Sequence, residues 1–375
     1  GTLPPLRPLP CRARYPPGYF GQEEPGARGM RERIYLDYNA TMPLRDEARA
    51  ALSAAMDVAG NPSSVHAEGR AAKALVEKAR AEVAEAFGAD GADVVFVSSA
   101  TEAAALAMAG RGLAVAPVEH DAVFSHMGKE LAVARDGKIE IPEPEEAAVQ
   151  LANSESGVVQ VLPQGVAVCD ATQGFGKIPV AFNWIGCEMA LISAHKIGGP
   201  KGVGALVIRR GTDLAAQLTG GGQEMGRRAG TENVLGIAAF GAAAKAAMRD
   251  LEAGVWDRIA DLRDRFEARA ADAGVEIAGK GAERLGNTSY LISPGWKSET
   301  QVMQMDLAGF AISAGSACSS GKVRESRVLR AMGYDEAQAG SAIRVSLGPW
   351  TTEDEVMRFA DVWLALREKH RARAA

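Results

Sequence analysis

Lys196 follows Ser193-Ala-His195 at the end of the short apolar run Met189-Ala-Leu-Ile-Ser193, and Asp170 closes another, Val166-Ala-Val-Cys-Asp170. In open α/β sheets ligands bind beyond the carboxyl ends of strands. A lysine and an aspartate at neighbouring ends supply an amine for a Schiff base and a carboxylate to keep a ring nitrogen protonated, the pair that pyridoxal phosphate requires. Taken singly, each has a plainer reading: a surface lysine and a strand-end cap. Ser98-Ser-Ala-Thr101 lies between a strand-like run and an Ala-rich helix, where backbone N–H groups, the helix dipole and a hydroxyl converge on an anion such as a phosphate. Taken alone, the same four residues read first as a simple N-cap. Cys318 sits in Ser-Ala-Gly-Ser-Ala-Cys-Ser-Ser-Gly, a run too small and polar to bury a thiol, so it is either incidental or a nucleophile. Cys169, inside an apolar strand, reads as an inert core thiol. No Gly-x4-Gly-Lys-Ser/Thr or Gly-x-Gly-x-x-Gly motif supports nucleotide phosphate binding.

The elements that must hold these residues alternate in type. Residues 67–87 carry Leu75, Val76, Ala79, Val83, Ala86 and Phe87 at three- and four-residue spacings, stop at Gly88 and are charged elsewhere, which predicts an amphipathic helix. Asp93-Val-Val-Phe-Val predicts a buried strand feeding a helix near Thr101, and Gly204-Ala-Leu-Val-Ile208 a further one. Continuous apolar strands of this kind belong to sheets with helices on both faces. A helical block over 234–272 precedes a mixed region, 275–375, with a strand at Ala342–Leu347 and a terminal helix from about Thr352. The expected fold is α/β: a large domain with a mainly parallel sheet covered by helices, plus a smaller α+β C-terminal domain.

Composition narrows the function classes. The 375 residues are 47% hydrophobic and 24% charged, as in folded domains, and 42 basic against 47 acidic side chains leave a net charge of −5, the wrong sign for nonspecific nucleic-acid binding. Four scattered cysteines, with no Cys-x-x-Cys pair, argue against a zinc site or a disulfide scaffold and for the reducing cytoplasm. No uncharged run of eighteen apolar residues is present, so no membrane span is expected. Residues 1–29 hold seven of the seventeen prolines and no periodicity, which predicts a disordered extension, with folded sequence opening at Met30.

Ten segments, in order, resemble the NifS/IscS-like cysteine desulfurases within the class V aminotransferase branch of pyridoxal-phosphate enzymes. They are Tyr-Leu-Asp-Tyr-Asn-Ala-Thr (35–41), Gly-Asn-Pro-Ser-Ser-Val-His (60–66), Ser-Ala-Thr-Glu (99–102), Glu-His-Asp-Ala-Val (119–123) and Asp-Ala-Thr-Gln (170–173). Ser-Ala-His-Lys-Ile-Gly-Gly-Pro-Lys-Gly (193–202), Gly-Gly-Gly-Gln-Glu (220–224), Arg-Ala-Gly-Thr-Glu-Asn (228–233), Ser-Ala-Gly-Ser-Ala-Cys-Ser-Ser-Gly (313–321) and Arg-Val-Ser-Leu-Gly (344–348) complete the set. The resemblance implies that Lys196 carries pyridoxal 5'-phosphate and moves protons, that Asp170 pairs with the ring nitrogen, that Gln173 bonds the ring hydroxyl and that His120 stacks on the ring. Thr101, Ser193 and His195 would hold the phosphate, with Thr231 reaching over from the partner of a homodimer. Arg344, Asn153 and Asn39 would face the substrate L-cysteine, and Cys318 would take its sulfur as a persulfide, leaving alanine, for a sulfur-acceptor protein serving iron–sulfur clusters, thio-cofactors or tRNA. The implied division is 44–254 for the large cofactor-binding domain and 30–43 with 255–375 for the small one carrying the cysteine loop.

The match departs from the family pattern at three places. Asn153-Ser154-Glu155-Ser156-Gly157 has serine where the family has a second asparagine, and Thr101-Glu102 is followed by three alanines. The spans from Thr101 to His120 and on to Asn153 are short, which predicts loss of a helix or edge strand from the large domain. The competing readings are another class V activity, a transaminase or selenocysteine lyase, and a non-catalytic sulfur-relay scaffold with a decayed site.

Overall fold

A computed structural model describes residues 33–315 and 325–374. The proposed extension at 1–29 and Cys318 therefore lie outside the described residues. In chain order the first half contains β1 (Ile34–Tyr35), α1 (Asp46–Ala55), α2 (Ala67–Ala86), β2 (Asp93–Val97), α3 (Ala100–Met108), β3 (Ala114–Val115), α4 (Asp121–Phe124), β4 (Lys129–Glu130), β5 (Ala147–Gln150) and β6 (Val168–Asp170). Then come α5 (Phe182–Ile185), β7 (Met189–Ser193), β8 (Gly204–Ile208), α6 (Val234–Glu252), α7 (Val255–Asp272), β9 (Glu276–Ile277), β10 (Thr288–Ile292), α8 (Ser298–Leu307), β11 (Phe310–Ala311), α9 (Arg327–Ala331), α10 (Glu336–Ala339), β12 (Ala342–Ser346) and α11 (Glu353–Ala374).

Seven strands form one sheet in the order β2-β8-β7-β6-β5-β3-β4. All pairs are parallel except those of β8, which runs antiparallel to both neighbours. The unbroken apolar strands follow from burial on both faces. Val94 and Phe96 of β2, Ala190 and Ile192 of β7, and Ala205 and Val207 of β8 pack with Val76, Ala79 and Val83 of α2 and with Phe240, Ala243 and Ala247 of α6. The alternate residues Val95, Val97, Leu191 and Leu206 pack on the other side with Ala103, Ala104 and Leu106 of α3. This two-residue period is what a pleated strand imposes. Gly241 lets α6 approach α2: a Cβ there would lie 3.0 Å from the Ala79 methyl.

The short spans around His120 appear as the single-turn α4 and the two-residue strands β3 and β4. The edge strand is thus present, and the economy falls on element length. The predicted helical block at 234–272 consists of two helices, separated at Gly254, which adopts φ 68. The C-terminal residues build a second core in which Trp296, Trp363, Phe266, Phe359 and Phe310 pack with Ile34 and Leu36. Its sheet is β12-β10-β9, and β1 pairs in parallel with β11, which ties the first described residues to the C-terminal half. A third cluster joins the halves: Ala114 and Val149 of the large sheet pack with Tyr290, Ile292, Val328 and Ala342. Among the described residues no helix is long and apolar enough to cross a membrane.

Candidate active site

Adjacent parallel strands bring Asp170 and Lys196 to one edge. Asp170 pairs in register with Leu191, and the chain turns at Ser193 into a single 3-10 turn, Ala194–Lys196. Lys196 Nζ donates to the backbone oxygens of Asn39 (2.6 Å) and Ala40 (3.0 Å), so the segment after β1 closes over the strand ends. The same segment supplies Thr41, whose Oγ1 lies 3.2 Å from His195 Nδ1. Burial first, then the positive charges of Lys196, Lys201 and Lys177, lower the His195 pKa to about 4, so the ring is neutral. Asp170 Oδ1 accepts the Thr172 N–H at 3.0 Å, which fixes the carboxylate at the end of β6.

Of the eight buried side-chain atoms without a partner among the described residues, four belong to residues of this region: Ser193 Oγ, Thr172 Oγ1, Glu119 Oε2 and Arg344 Nε. Buried polar atoms are normally satisfied, so this cluster marks a place built for groups from outside the chain. Ser193 and Arg344 were among the residues expected from sequence; Thr172 and Glu119 were not. Glu119 accepts the Gln150 N–H at 2.7 Å. Burial pushes its carboxyl well above the usual range against that hydrogen bond, and the nearby Asp170 adds to the effect.

The remaining expected residues divide by how much of their capacity the protein already uses. Arg344, on β12 opposite Tyr290, donates from Nη2 to Asp37 Oδ1 (2.7 Å) and from Nη1 to Ser154 O (3.0 Å), leaving Nε facing no acceptor. Asn39 is 1% exposed, and both ends of its amide are fully engaged. Its Oδ1 accepts from Lys177 and Asn287, and its Nδ2 donates to Ser154 O and Thr288 Oγ1. Asn153 is likewise spent: Nδ2 donates to Val118 O and Gln150 Oε1, while Oδ1 accepts from Glu155 N, Ser156 N and Ser156 Oγ. Both asparagines therefore brace the walls. Gln173 donates to Asn39 O at 2.9 Å and accepts from Lys177 at 2.6 Å.

His120 caps α4 by accepting the Ala122 N–H at 3.1 Å and is otherwise exposed. At α3 the cap is Ser99, which accepts the Glu102 N–H at 3.3 Å, so Thr101 stands exposed beside it with its hydroxyl not spent on capping. Burial would raise the Glu102 pKa, but the Arg228 guanidinium 2.8 Å away and the Ser98 N–H prevail and lower it. Thr231 is exposed and lines a cleft with Ser98, Gly202, Arg228 and Asn233.

Cys318 lies outside the described residues, but the chain on both sides of it is anchored at this wall. Ser313 pairs with Arg344, and a Cβ on Gly315 would overlap the Tyr290 hydroxyl and the Glu155 carboxylate. Glu155 Oε2 accepts from Tyr290 (2.8 Å) and from Ser326 (2.6 Å). Cys169 and Cys187 are buried, and a hydrogen bond to Cys187, then burial, raise the Cys169 pKa well above the usual thiol value. An undissociated buried thiol is inert.

Besides Thr172 and Glu119, sequence reasoning missed Lys177, buried one turn beyond Gln173. The signal was a lysine in the otherwise apolar stretch Gly-Phe-Gly-Lys-Ile-Pro-Val.

The model of the family Aminotransferase class-V matches residues 34–359. The cysteine desulfurase IscS of Dictyoglomus turgidum (strain DSM 6724 / Z-1310) is 35% identical over 382 residues, covering 91% of this chain and 96% of that protein. A cysteine desulfurase of Frankia sp. (strain EuIK1) is 37% identical, covering 88% and 90%. The X-ray structure of a NifS-like protein from Rickettsia africae ESF-5 superposes with a TM-score of 0.81 at 30% identity, covering 90% of this chain and all of that one.

Proposed function

The chain belongs to the class V aminotransferase family, and from that premise we propose that it is a pyridoxal-phosphate-dependent cysteine desulfurase, converting L-cysteine to L-alanine and passing the sulfur to Cys318. The observation that carries the reading is the set of unpartnered buried atoms, Ser193 Oγ, Thr172 Oγ1 and Arg344 Nε, around the strand ends that present Asp170 and Lys196.

The donor set fits the cofactor. Ser193, His195 and Thr101 would hold the phosphate, aided by the amino end of α3, with Thr231 contributed across a homodimer. Asp170 would face the ring nitrogen, Gln173 the ring hydroxyl and His120 the ring face. When bound, pyridoxal phosphate supplies an electron sink for the charge that develops at the substrate α-carbon.

The chain's own residues do the rest. Arg344 clamps the substrate carboxylate through its free Nε and one terminal nitrogen, a two-pronged task suited to guanidinium. Asp37 and the Ser154 carbonyl hold the guanidinium in place for it. Asn39 and Asn153 act as positioning residues, since their amides are filled by protein partners. Lys196 takes the α-proton and later returns one to the alanine methyl. The Cys318 thiolate forms an S–S bond with the substrate sulfur as the Cβ–S bond breaks; the bonding pair stays on carbon and is protonated. The balance is cysteine plus thiol to alanine plus persulfide.

We read residues 44–254 as the large cofactor-binding domain and 30–43 with 255–375 as the small one, supported by the separate cores described above. Free buried thiols fit a reducing cytoplasm. The test is alanine and sulfide release from L-cysteine with and without a thiol reductant. Equal yields of both with reductant support the reading. Keto-acid exchange without sulfide refutes it.

A further inference from the structure

Glu155 is buried on the turn over residues 153–157, and its backbone and side chain serve different partners. Its N–H donates to Asn153 Oδ1 at 2.9 Å, and the Gly157 N–H donates to Asn153 O at 3.1 Å, so the turn is held without the carboxyl group. The Ser154 carbonyl of the same turn takes Arg344 Nη1 at 3.0 Å. The Glu155 side chain holds something else: Oε2 accepts from the Tyr290 hydroxyl at 2.8 Å and from Ser326 Oγ at 2.6 Å.

These two hydroxyls mark the roots of the stretch that carries Cys318. On the near side, Ser313 and Arg344 exchange backbone hydrogen bonds of 2.7 and 3.2 Å. Two residues on, a Cβ at Gly315 would stand 2.0 Å from the Tyr290 hydroxyl and 2.6 Å from Glu155 Oε2, so a residue without a side chain seats there. Tyr290 lies opposite Arg344 in the β10–β12 register. Burial, then the nearby Glu155 charge, push its pKa well above the ordinary phenol value, so it keeps its proton and donates. On the far side, Ser326 gives its proton to Glu155, and its oxygen accepts the Leu329 N–H at 3.1 Å to cap α9. One carboxyl oxygen thus meets both roots, on the turn that also braces Arg344.

We propose that Glu155 is a positioning residue for sulfur transfer: by seating Gly315 and holding Ser326 at one oxygen beside Arg344, it sets where the Cys318 stretch starts and ends relative to bound substrate. The inference rests on the reading of Cys318 as the residue that takes the substrate sulfur. In that step an S–S bond forms at Cys318 while the substrate Cβ–S bond breaks and its electron pair stays on carbon. The two sulfurs must meet in line, and misplacing an attacking group by about 1 Å costs about a hundredfold in rate. Substrate capture and proton removal come earlier and use Arg344 and Lys196. Arg344 is braced by Asp37 and the Ser154 carbonyl, and Lys196 by the backbone of Asn39 and Ala40, supports that truncating Glu155 leaves in place. Truncation therefore separates the two stages of the reaction.

The test uses holoenzyme of the wild type, Glu155→Ala, Glu155→Gln and Ser326→Ala, each mixed rapidly with L-cysteine without reductant. The change of the visible cofactor band reports substrate capture, and the mass of the Cys318 peptide in quenched samples reports sulfur transfer. Glu155→Ala slows the gain of sulfur at least about tenfold, while the rate of the band change and its half-saturating L-cysteine concentration stay within about twofold of wild type. Glu155→Gln keeps a carbonyl oxygen that accepts both hydroxyls, so its sulfur gain returns to within about threefold of wild type. Ser326→Ala frees the far root alone and slows sulfur gain several-fold with the band change spared, which decides the matter should Glu155→Ala not fold. Three results overturn the inference while leaving the Cys318 reading standing: both stages slowed together, sulfur gain unchanged in either alanine variant, or a glutamine variant as slow as Glu155→Ala. Wild type that gains no sulfur on Cys318 removes that reading and the inference with it.

Discussion

Replacing Asn39 by alanine deletes four hydrogen bonds at a residue that is 1% exposed. The loss is unequal among the partners. Thr288 Oγ1 still donates to Asn287 Oδ1, Asn287 Nδ2 still donates to Leu347 O, and Ser154 O still accepts from Arg344. Only Lys177 is left in deficit, a buried amino group on the single acceptor Gln173 Oε1. Leaving a buried hydrogen-bonding group under-satisfied costs up to about 3 kcal/mol, whereas each partner that keeps another bond adds little. With a urea dependence of about 3 kcal/mol per molar for a chain of this size, the unfolding midpoint of Asn39→Ala falls by about 1 M. The double variant Asn39→Ala/Lys177→Met carries no buried amino group to strand, so it recovers at least half of that loss. The assay is urea unfolding of the cofactor-free proteins followed by circular dichroism and tryptophan fluorescence. An Asn39→Ala midpoint equal to wild type, or strict additivity in the double variant, refutes the view that Asn39 is held for Lys177.

Three further outcomes follow from the same geometry. His195 has a folded pKa of about 4 against an ordinary 6.5, so the unfolded chain binds the proton first; its contribution is whole above pH 6.5 and is lost as pH falls toward 4. The stability difference between wild type and His195→Gln should therefore shrink by up to about 3 kcal/mol across that window, measured by urea unfolding at stepped pH. Glu224, with its side chain buried against Arg80 (2.7 Å) and the Phe96 N–H (2.9 Å), holds itself and Met225 at φ 48 and 59. Glu224→Ala should cost about 1–3 kcal/mol, because it leaves the buried Phe96 N–H without its acceptor although Arg80 keeps Glu77 and Val94 O, while Met225→Gly should be neutral or stabilise by up to about 1 kcal/mol by relieving a left-handed residue; thermal melts of both check this. Arg344→Lys keeps the charge but cannot reach Asp37, Ser154 O and a carboxylate together, so KM for L-cysteine should rise at least about tenfold in steady-state assays.

The strands were legible because both faces of the large sheet are apolar, so β2, β7 and β8 stand out as unbroken runs at the places the structure gives them. Lys196 and Asp170 were legible for the same reason, as polar residues ending such runs. What the sequence hid are partnerships across distance. Asn39 and Asn153 look like ligand-binding amides, but amide saturation depends on Thr288, Asn287 and Val118, which lie far away in the chain. Lys177 was overlooked because a lone lysine in an apolar stretch usually snorkels to solvent; here the Asn39 segment covers it, a fact created by β1 pairing with the remote β11. The short α4, β3 and β4 were hidden because elements of two to four residues carry no periodicity.

The most direct test of the account is the mass of the Cys318-bearing peptide after the holoenzyme meets L-cysteine without reductant. The account predicts a peptide heavier by one sulfur atom, with one alanine released per modified chain, and in Cys318→Ala neither sulfide nor persulfide, although the visible cofactor band remains. Alanine and sulfide produced by Cys318→Ala at the wild-type rate would contradict it.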